Sequence, residues 1–154
     1  MTPVTQKVNV ACELLECALR LYYEEGSDFA ALHLAGAAEE LLGMQVERIG
    51  GKSEFSALKD GALRISPAIR DAYFNGKGNT PTKKTMAKAI NHAKNATKHM
   101  DPSDVDYVAF NARAEARKIL ERAVHNFQEV YSEMIEVEIK ETELIRRFLL
   151  SHGA

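Results

Sequence analysis

The sequence predicts an all-α protein that folds as one domain over residues 1–154, an antiparallel, up-and-down bundle of five to six helices. Apolar residues recur every three or four positions along most of the chain, which is the period of an amphipathic helix. No convincing stretch alternates apolar and polar residues as a half-buried strand does. The length of 154 residues and the 45% share of hydrophobic residues fit a single globular domain.

Two long helices are predicted in the first third of the chain. Residues 5–25 carry one apolar stripe, and Gly26 follows as a residue that commonly ends helices. The next two residues can cap a second helix, which is predicted over 28–49 and ends at a pair of glycines. The centre of this helix is apolar on nearly all sides, so it lies either within the core or between the core and a subunit contact.

Turn signals divide the middle of the chain. A short helix is predicted over 55–64, and Ser66-Pro67 reads as a cap followed by proline at the first position of a helix over 67–74. Thr80-Pro81 repeats this pattern and opens a helix over 81–99. One half of that helix is apolar, and we expect this half to face the core.

The C-terminal third lacks helix breakers, since residues 103–152 contain neither glycine nor proline. They are predicted to form either one very long helix or two helices with a turn near Ser132. If there are two, residues 133–152 are an added C-terminal helix, and in both cases the apolar face of these residues favours packing on a partner subunit. We therefore expect a homodimer.

The charge is distributed unevenly, although the formal net charge is only −2. Residues 77–100 contain six lysines and no acidic residue, whereas the segments before and after each carry seven basic against eleven acidic residues. Such a segment is either an anion-binding surface or a solvated helix face that is rich in lysine.

The polar half of the helix over 81–99 combines five lysines with two amides and two imidazoles. Lysine attracts phosphate, amides donate and accept hydrogen bonds, and histidine can transfer protons near neutral pH. The helix has no aromatic residue that could stack on a base, so sequence-specific reading of RNA is not indicated. The candidate anion-binding residues are Lys84, Lys88, Asn91 and Lys98.

Two short motifs resemble those of HEPN-type helical bundles. Residues 37–43 read A-A-E-E-L-L-G, which resembles the A-A-E-x-hydrophobic helix of that family. Residues 94–99 read K-N-A-T-K-H, which resembles its R-N-x-x-x-H signature, with lysine in the place of arginine. The order of the predicted helices also agrees, and the resemblance covers residues 5–131.

The resemblance implies a function in RNA or nucleotide binding. Many HEPN-type proteins are homodimeric, metal-independent endoribonucleases, and others are non-catalytic domains that bind nucleotides or proteins. Carried over to this chain, Lys94 would hold the scissile phosphate, Asn95 would orient it, and His99 would be the general acid or base. Lys94 keeps the charge of the family's arginine but lacks its planar, two-pronged donor.

No metal site or cofactor is predicted, because the sequence lacks the Glu-x-x-His pairs with which helical bundles hold two metal ions. Glu39 and Glu40 lie on the apolar second helix, where a buried carboxylate needs a salt bridge or an interhelical hydrogen bond. Cys12 and Cys17 point about 140° apart on one helix and cannot form a disulfide with each other.

The alternative to the RNA-binding hypothesis is a non-enzymatic, homodimeric interaction protein built from the same helices. Neither hypothesis involves a membrane, since no apolar run approaches the ~20 residues of a membrane span. The N-terminus lacks the basic and apolar regions of a signal peptide, so a cytoplasmic location is expected.

Overall fold

The computed structural model describes residues 4–99, 106–134 and 138–152, apart from the side chains of Tyr73, Phe74 and His152. The described residues form helices and connecting segments and no strand, which confirms the all-α prediction. The helices are α1 (Lys7–Tyr23), α2 (Asp28–Arg48), α3 (Glu54–Phe74), α4 (Lys83–Ile90), α5 (His92–Ala96), α6 (Ala112–Glu133) and α7 (Glu143–His152).

Helices α1, α2 and α6 form the centre of the bundle, with α2 packed along both of the others. The predicted bounds of α1 and α2 agree with the structure to within two residues, and α2 occupies the core position that its apolar centre predicts. Ala31, Ala35 and Ala38 are fully buried, because these small side chains let α1 and α6 approach the α2 backbone closely.

A buried amide joins the start of α3 to this centre. Asn126 of α6 accepts a hydrogen bond from the Glu54 amide at 2.9 Å, and its Nδ2 donates to the Glu39 carbonyl at 3.3 Å. Gly43 of α2 lies beneath this contact, since a Cβ there would come within 3.2 Å of Asn126 Nδ2. The absence of a side chain at Gly43 therefore allows α2, α3 and α6 to meet.

Helix α3 is continuous where the sequence predicted two helices. Pro67 lies inside it and cannot donate the hydrogen bond that the Leu63 carbonyl would otherwise accept. The hydroxyl of Ser66 donates to that carbonyl instead, at 3.0 Å. The prediction of a new helix at Ser66-Pro67 is therefore wrong, because a side chain substitutes for the missing amide.

The single helix predicted over 81–99 is divided into α4 and α5 at Asn91, and this prediction is corrected in two further respects. The cap of α4 is Thr82 and not Thr80, since the Thr82 hydroxyl accepts from the Thr85 amide at 3.1 Å. The apolar half is not core, because α4 buries no residue and only Ala93 of α5 is buried. Helix α4 packs mainly on α3, beside the central helices.

The C-terminal third forms two helices among the described residues, of which α6 ends at Glu133, one residue after the predicted turn. Residues 103–105 and 135–137 of that prediction lie outside the described residues. Helix α7 packs on α1, burying Ile145 and Phe148, and the Phe148 ring meets the Tyr22 ring edge-on at 6.3 Å. The apolar face that the sequence suggested for a partner subunit is thus covered within the chain.

Candidate anion-binding site

A stripe of lysine and asparagine side chains runs along α4, α5 and the turn that follows α5. Its members are spaced four, three, four and three residues apart, which keeps them on one side of a helix. The backbone amide of Asn91 donates a hydrogen bond to the Ala87 carbonyl at 3.1 Å, and the backbone amide of Asn95 donates to the backbone carbonyl of Asn91 at 2.9 Å. These two hydrogen bonds continue the helical pattern across the break between α4 and α5. We call this set the polar stripe, and it consists of Lys84, Lys88, Asn91, Asn95 and Lys98.

The three lysines of the polar stripe are exposed, and none forms an ion pair with a described residue. The hydrogen bond from Lys52, 2.9 Å away, lowers the pKa of Asp60, and the positive charge of Lys83, which adjoins the polar stripe in sequence, lowers it further. The stripe therefore presents positive charge that carboxylates of the described residues do not neutralise.

The two amides of the polar stripe are also available to a ligand. Asn91 stands between α4 and α5, and its side chain does not cap the second helix. The side chain of Asn95 is exposed. Its backbone carbonyl accepts from the backbone amides of Lys98 and His99, at 3.1 Å each, which closes the final turn. His99 is exposed, one helical turn beyond Asn95.

Lys94 points away from these exposed residues, towards α2. Its aliphatic stem crosses Gly36, where a Cβ would lie only 2.6 Å from Lys94 Cδ. Its Nζ lies 3.8 Å from a carboxylate oxygen of Glu40, and the side chain is 15% exposed. Of the three residues that the HEPN resemblance assigns to catalysis, the structure exposes Asn95 and His99 and holds Lys94 against α2.

A cavity of about 270 Å³ lies where α3, α4, α5 and α6 approach one another. Arg122 of α6 contributes to its lining and is only 11% exposed. Its Nε donates to Glu39 at 2.7 Å, whereas its Nη2 is buried and has no hydrogen-bond partner among the described residues. An unsatisfied buried donor of this kind costs about 1–3 kcal/mol. The residues that line the cavity are Leu58, Ala89, Ile90, His92, Ala93, Phe110, Glu115, Lys118 and Arg122.

Sequence reasoning anticipated the salt bridge of Glu39 and missed its partner. Arg122 lies three residues after Ile119 and four before Asn126, both of which are buried, so helical spacing already placed it on the inner side of α6. A buried carboxylate on α2 and an inward arginine on another helix are the signal that could have identified this pair. Which helices enclose the cavity depends on tertiary packing and has no local signal.

Other kinds of site find little support in the described part of the chain. No group of three or more histidine, cysteine, aspartate or glutamate residues there is placed to hold a metal ion. Burial raises the pKa of the Cys12 thiol to about 11, so this thiol is protonated at neutral pH and is not an activated nucleophile. Nor does any described helix combine the length and the apolar character needed to cross a membrane.

Comparison with protein families, with curated proteins and with solved structures finds no significant match to this chain. The HEPN resemblance of residues 37–43 and 94–99 therefore stays a prediction.

Proposed function

We propose that this chain is an HEPN-like helical domain that binds RNA, with the phosphates contacting the polar stripe. The observation that carries this proposal is a contrast in charge pairing. Only one of the six lysines in residues 77–99 forms an ion pair with a described residue, and that one is Lys94. Outside this segment, nine of the fourteen lysines and arginines do so.

The chemistry of the polar stripe suits a nucleic-acid backbone. Exposed ammonium groups that are free of carboxylates can each neutralise a phosphate and release its counterions. The amides of Asn91 and Asn95 can donate to phosphate oxygens or bond the ribose 2′-hydroxyl, which is the group that distinguishes RNA from DNA. Since the stripe contains no aromatic side chain for base stacking, we expect binding that tolerates changes of sequence.

The proposal concerns binding and not cleavage, because of the position of Lys94. Charge stabilisation at the scissile phosphate requires a cation that faces the substrate. Lys94 is the residue to which the HEPN resemblance assigns this role, and its ammonium group faces Glu40 instead. His99 is exposed one helical turn after Asn95, but the ammonium group of Lys94 does not face the same side. Non-catalytic nucleic-acid binding is the function that this arrangement supports best.

Binding is tested with a fluorescent single-stranded RNA of about 20 nucleotides, long enough for several phosphate contacts. The test variant is Lys84→Ala/Lys88→Ala/Lys98→Ala, and the control is Lys7→Ala/Arg48→Ala/Arg64→Ala. The control removes the same charge from exposed positions that form no ion pair with described residues.

We expect the stripe variant to lose affinity by about tenfold or more and the control by less than about threefold, because phosphate contacts dominate such binding. The RNA should be recovered intact after incubation with the wild-type protein. Equal losses in the two variants would contradict the proposal. Cleavage by the wild type that is absent in His99→Ala would show a ribonuclease instead.

A second candidate is the homodimeric interaction protein, and the feature that favours it is on α3. Leu58, Ile65 and Ile69 recur on one side of this helix, seven and four residues apart, and are 44–53% exposed. A dimer would use these exposed apolar residues of α3 and not α7, whose apolar face is already buried. We expect light scattering to show a dimer that Ile65→Asp converts to a monomer, with Arg64→Asp as control. A monomeric wild-type protein would exclude this candidate.

A further inference from the structure

We infer that the exposed apolar side of α3 is a docking site for an acidic amphipathic helix of another protein, with one apolar side chain of that helix in the cavity that Leu58 lines. This site is separate from the polar stripe, and its argument does not depend on RNA binding. It rests on the apolar residues that α3 leaves exposed, on the cavity at one end of them and on the charge of the surrounding segment.

Helix α3 spans 21 residues, and none of its described side chains is buried. Leu58, Ile65 and Ile69 are about half exposed, and Ala68 and Ala72 lie exposed on the same side of the helix. We call these five residues the α3 apolar face. At about 1.5 Å per residue, this face is about 21 Å long, or about four helical turns. A contiguous apolar surface of this kind indicates contact with a partner.

The cavity of about 270 Å³ lies at one end of the α3 apolar face. Leu58 belongs to both, and Ile90 and Phe110 add apolar walls. The cavity opens to solvent, since Ala89 and His92 in its lining are exposed. A cavity of about 150 Å³ already holds benzene, so this one has room for a leucine or phenylalanine side chain. A pocket that continues into an apolar helix face is the kind of surface that binds an amphipathic helix.

The charge around the α3 apolar face favours an acidic partner. Residues 52–99 contain ten basic and three acidic residues, which gives a net charge of +7. The rest of the chain contains ten basic and nineteen acidic residues, which gives a net charge of −9. Complementary charge favours association and like charge opposes it, so an acidic helix suits this segment and a basic helix does not. The basic residues of the segment that form no ion pair with a described residue are Lys59, Arg64, Lys77, Lys83, Lys84, Lys88 and Lys98.

Carboxylates of the same segment do not cancel this charge. Asp60 pairs with Lys52 at 2.9 Å, and Asp71 pairs with Arg70 at 3.3 Å. Arg64 is exposed at the edge of the α3 apolar face, and its guanidinium forms no ion pair with a described residue. A carboxylate on the flank of a docked helix would accept a charge-assisted hydrogen bond from this guanidinium.

Two other occupants suit the α3 apolar face less well. The homodimer candidate places a second copy on the same residues, and a symmetric contact would bring two segments of like charge together. An anionic membrane surface would attract the cations, but interfacial helices insert aromatic and other large apolar side chains into the bilayer. Residues 58–72 contain no aromatic residue, and a bilayer does not fill a concave cavity.

The test uses three synthetic peptides of about 18 residues, each with leucine at i, i+4, i+7 and i+11 on one helical face. The flanking positions hold glutamate in the first peptide, lysine in the second and glutamine in the third. Each peptide carries a fluorescent label and is titrated into the full chain. The apolar contact is thus constant, and only the charge of the peptide differs.

The contribution of the apolar face is tested with Ile65→Ala/Ile69→Ala. The control is Met44→Ala/Ile49→Ala, which truncates two exposed apolar side chains at the C-terminal end of α2. We expect the test variant to bind the glutamate peptide about tenfold more weakly or worse, and the control to change by less than about threefold. Both variants should bind RNA as the wild type does, because neither alters a lysine of the polar stripe. The failure of one proposal therefore does not imply failure of the other.

The cavity and the charge are tested with two further pairs of variants. Ala89→Leu narrows the cavity, whereas Ala114→Leu adds the same side chain at an exposed position outside its lining. Arg64→Glu reverses the charge beside the apolar face, whereas Arg48→Glu reverses the charge of an exposed arginine on α2. We expect each test variant to weaken binding of the glutamate peptide by about fivefold or more, and each control by less than about twofold. Thermal unfolding confirms that every variant is folded.

We expect the glutamate peptide to bind most tightly and the lysine peptide most weakly. The inference is overturned if the glutamate peptide does not bind, if the three peptides bind equally, or if any test variant binds the glutamate peptide as its control does. It is also overturned if light scattering shows a wild-type dimer that Ile65→Ala/Ile69→Ala dissociates, since a second copy then occupies the face. Vesicles of anionic lipid that bind the wild type and lose affinity in the same variant would overturn it in favour of a membrane surface.

Discussion

At the scale of single residues, the pair of Arg122 and Glu39 is the most consequential interaction. Their side chains are 11% and 3% exposed, and the Nε–Oε1 distance is 2.7 Å. Such a pair stabilises little relative to an apolar pair of similar size, since both charges have lost their water. The pair is important because removing one partner leaves the other charge buried without a counter-charge.

We predict that Arg122→Met lowers the free energy of unfolding by about 3–5 kcal/mol, because the Glu39 carboxylate is then buried without a counter-charge. The double variant Arg122→Met/Glu39→Leu should recover most of this loss. Urea denaturation of the wild type and both variants measures the difference. A double variant as unstable as Arg122→Met would show that packing, and not the uncompensated charge, causes the loss.

Site residues could be predicted from the sequence only where the residues next to them in the chain already mark them. Lys84, Lys88 and Lys98 stand out from the sequence because they occur in a segment with no acidic residue. The orientation of Lys94 was not predictable, since it depends on the space above Gly36 and on Glu40, more than fifty residues away. Local charge patterns indicate a surface, whereas tertiary contacts decide which of its residues a ligand can reach.

At the scale of helices, the start of α3 depends on hydroxyl groups and one carboxylate. The Ser53 hydroxyl caps the helix by accepting from the Ser56 amide at 3.3 Å. The Glu47 carboxylate accepts from the hydroxyls of Ser53 and Ser56, at 2.7 and 2.8 Å. These hydrogen bonds favour the charged form and lower the pKa of Glu47 from its ordinary value of 4.5.

The stabilisation by Glu47 should depend on pH in a defined direction. Because the pKa is lower in the folded chain than in the unfolded chain, the contribution is fully present above 4.5 and is lost as the pH falls through the lowered value. We predict that Glu47→Ala is less stable than the wild type at about pH 7 and that the difference narrows at about pH 3. Urea denaturation at both pH values tests this, and a constant difference would contradict it.

The helices themselves were predictable where their ends carry local signals. Ser27 caps α2 through a hydrogen bond from the Ala30 amide at 3.2 Å, and this boundary agrees with the prediction. The helix start predicted at Pro67 was wrong, because the Ser66 hydroxyl donates to the Leu63 carbonyl, which proline cannot bond. A cap residue followed by proline indicates where a helix can begin, but a side chain that satisfies the open carbonyl lets the preceding helix continue.

At the scale of the whole molecule, a positive segment lies between two negative ones. Residues 77–100 carry six positive charges, whereas each flanking segment has a net charge of −4. The flanking acidic residues weaken attraction at long range, so an RNA that binds must contact the lysines directly. Direct contact between lysine and phosphate has a specific thermodynamic signature, which is the release of counterions.

The salt dependence of RNA affinity tests the central claim, that the polar stripe contacts phosphates, most directly. Three lysine–phosphate contacts predict that the logarithm of the association constant falls with the logarithm of salt concentration at a slope of about −2 or steeper. The slope should become shallower by about 2 in Lys84→Ala/Lys88→Ala/Lys98→Ala and stay unchanged in Lys7→Ala/Arg48→Ala/Arg64→Ala. A slope near zero for the wild type, or the same slope in all three proteins, would contradict the claim.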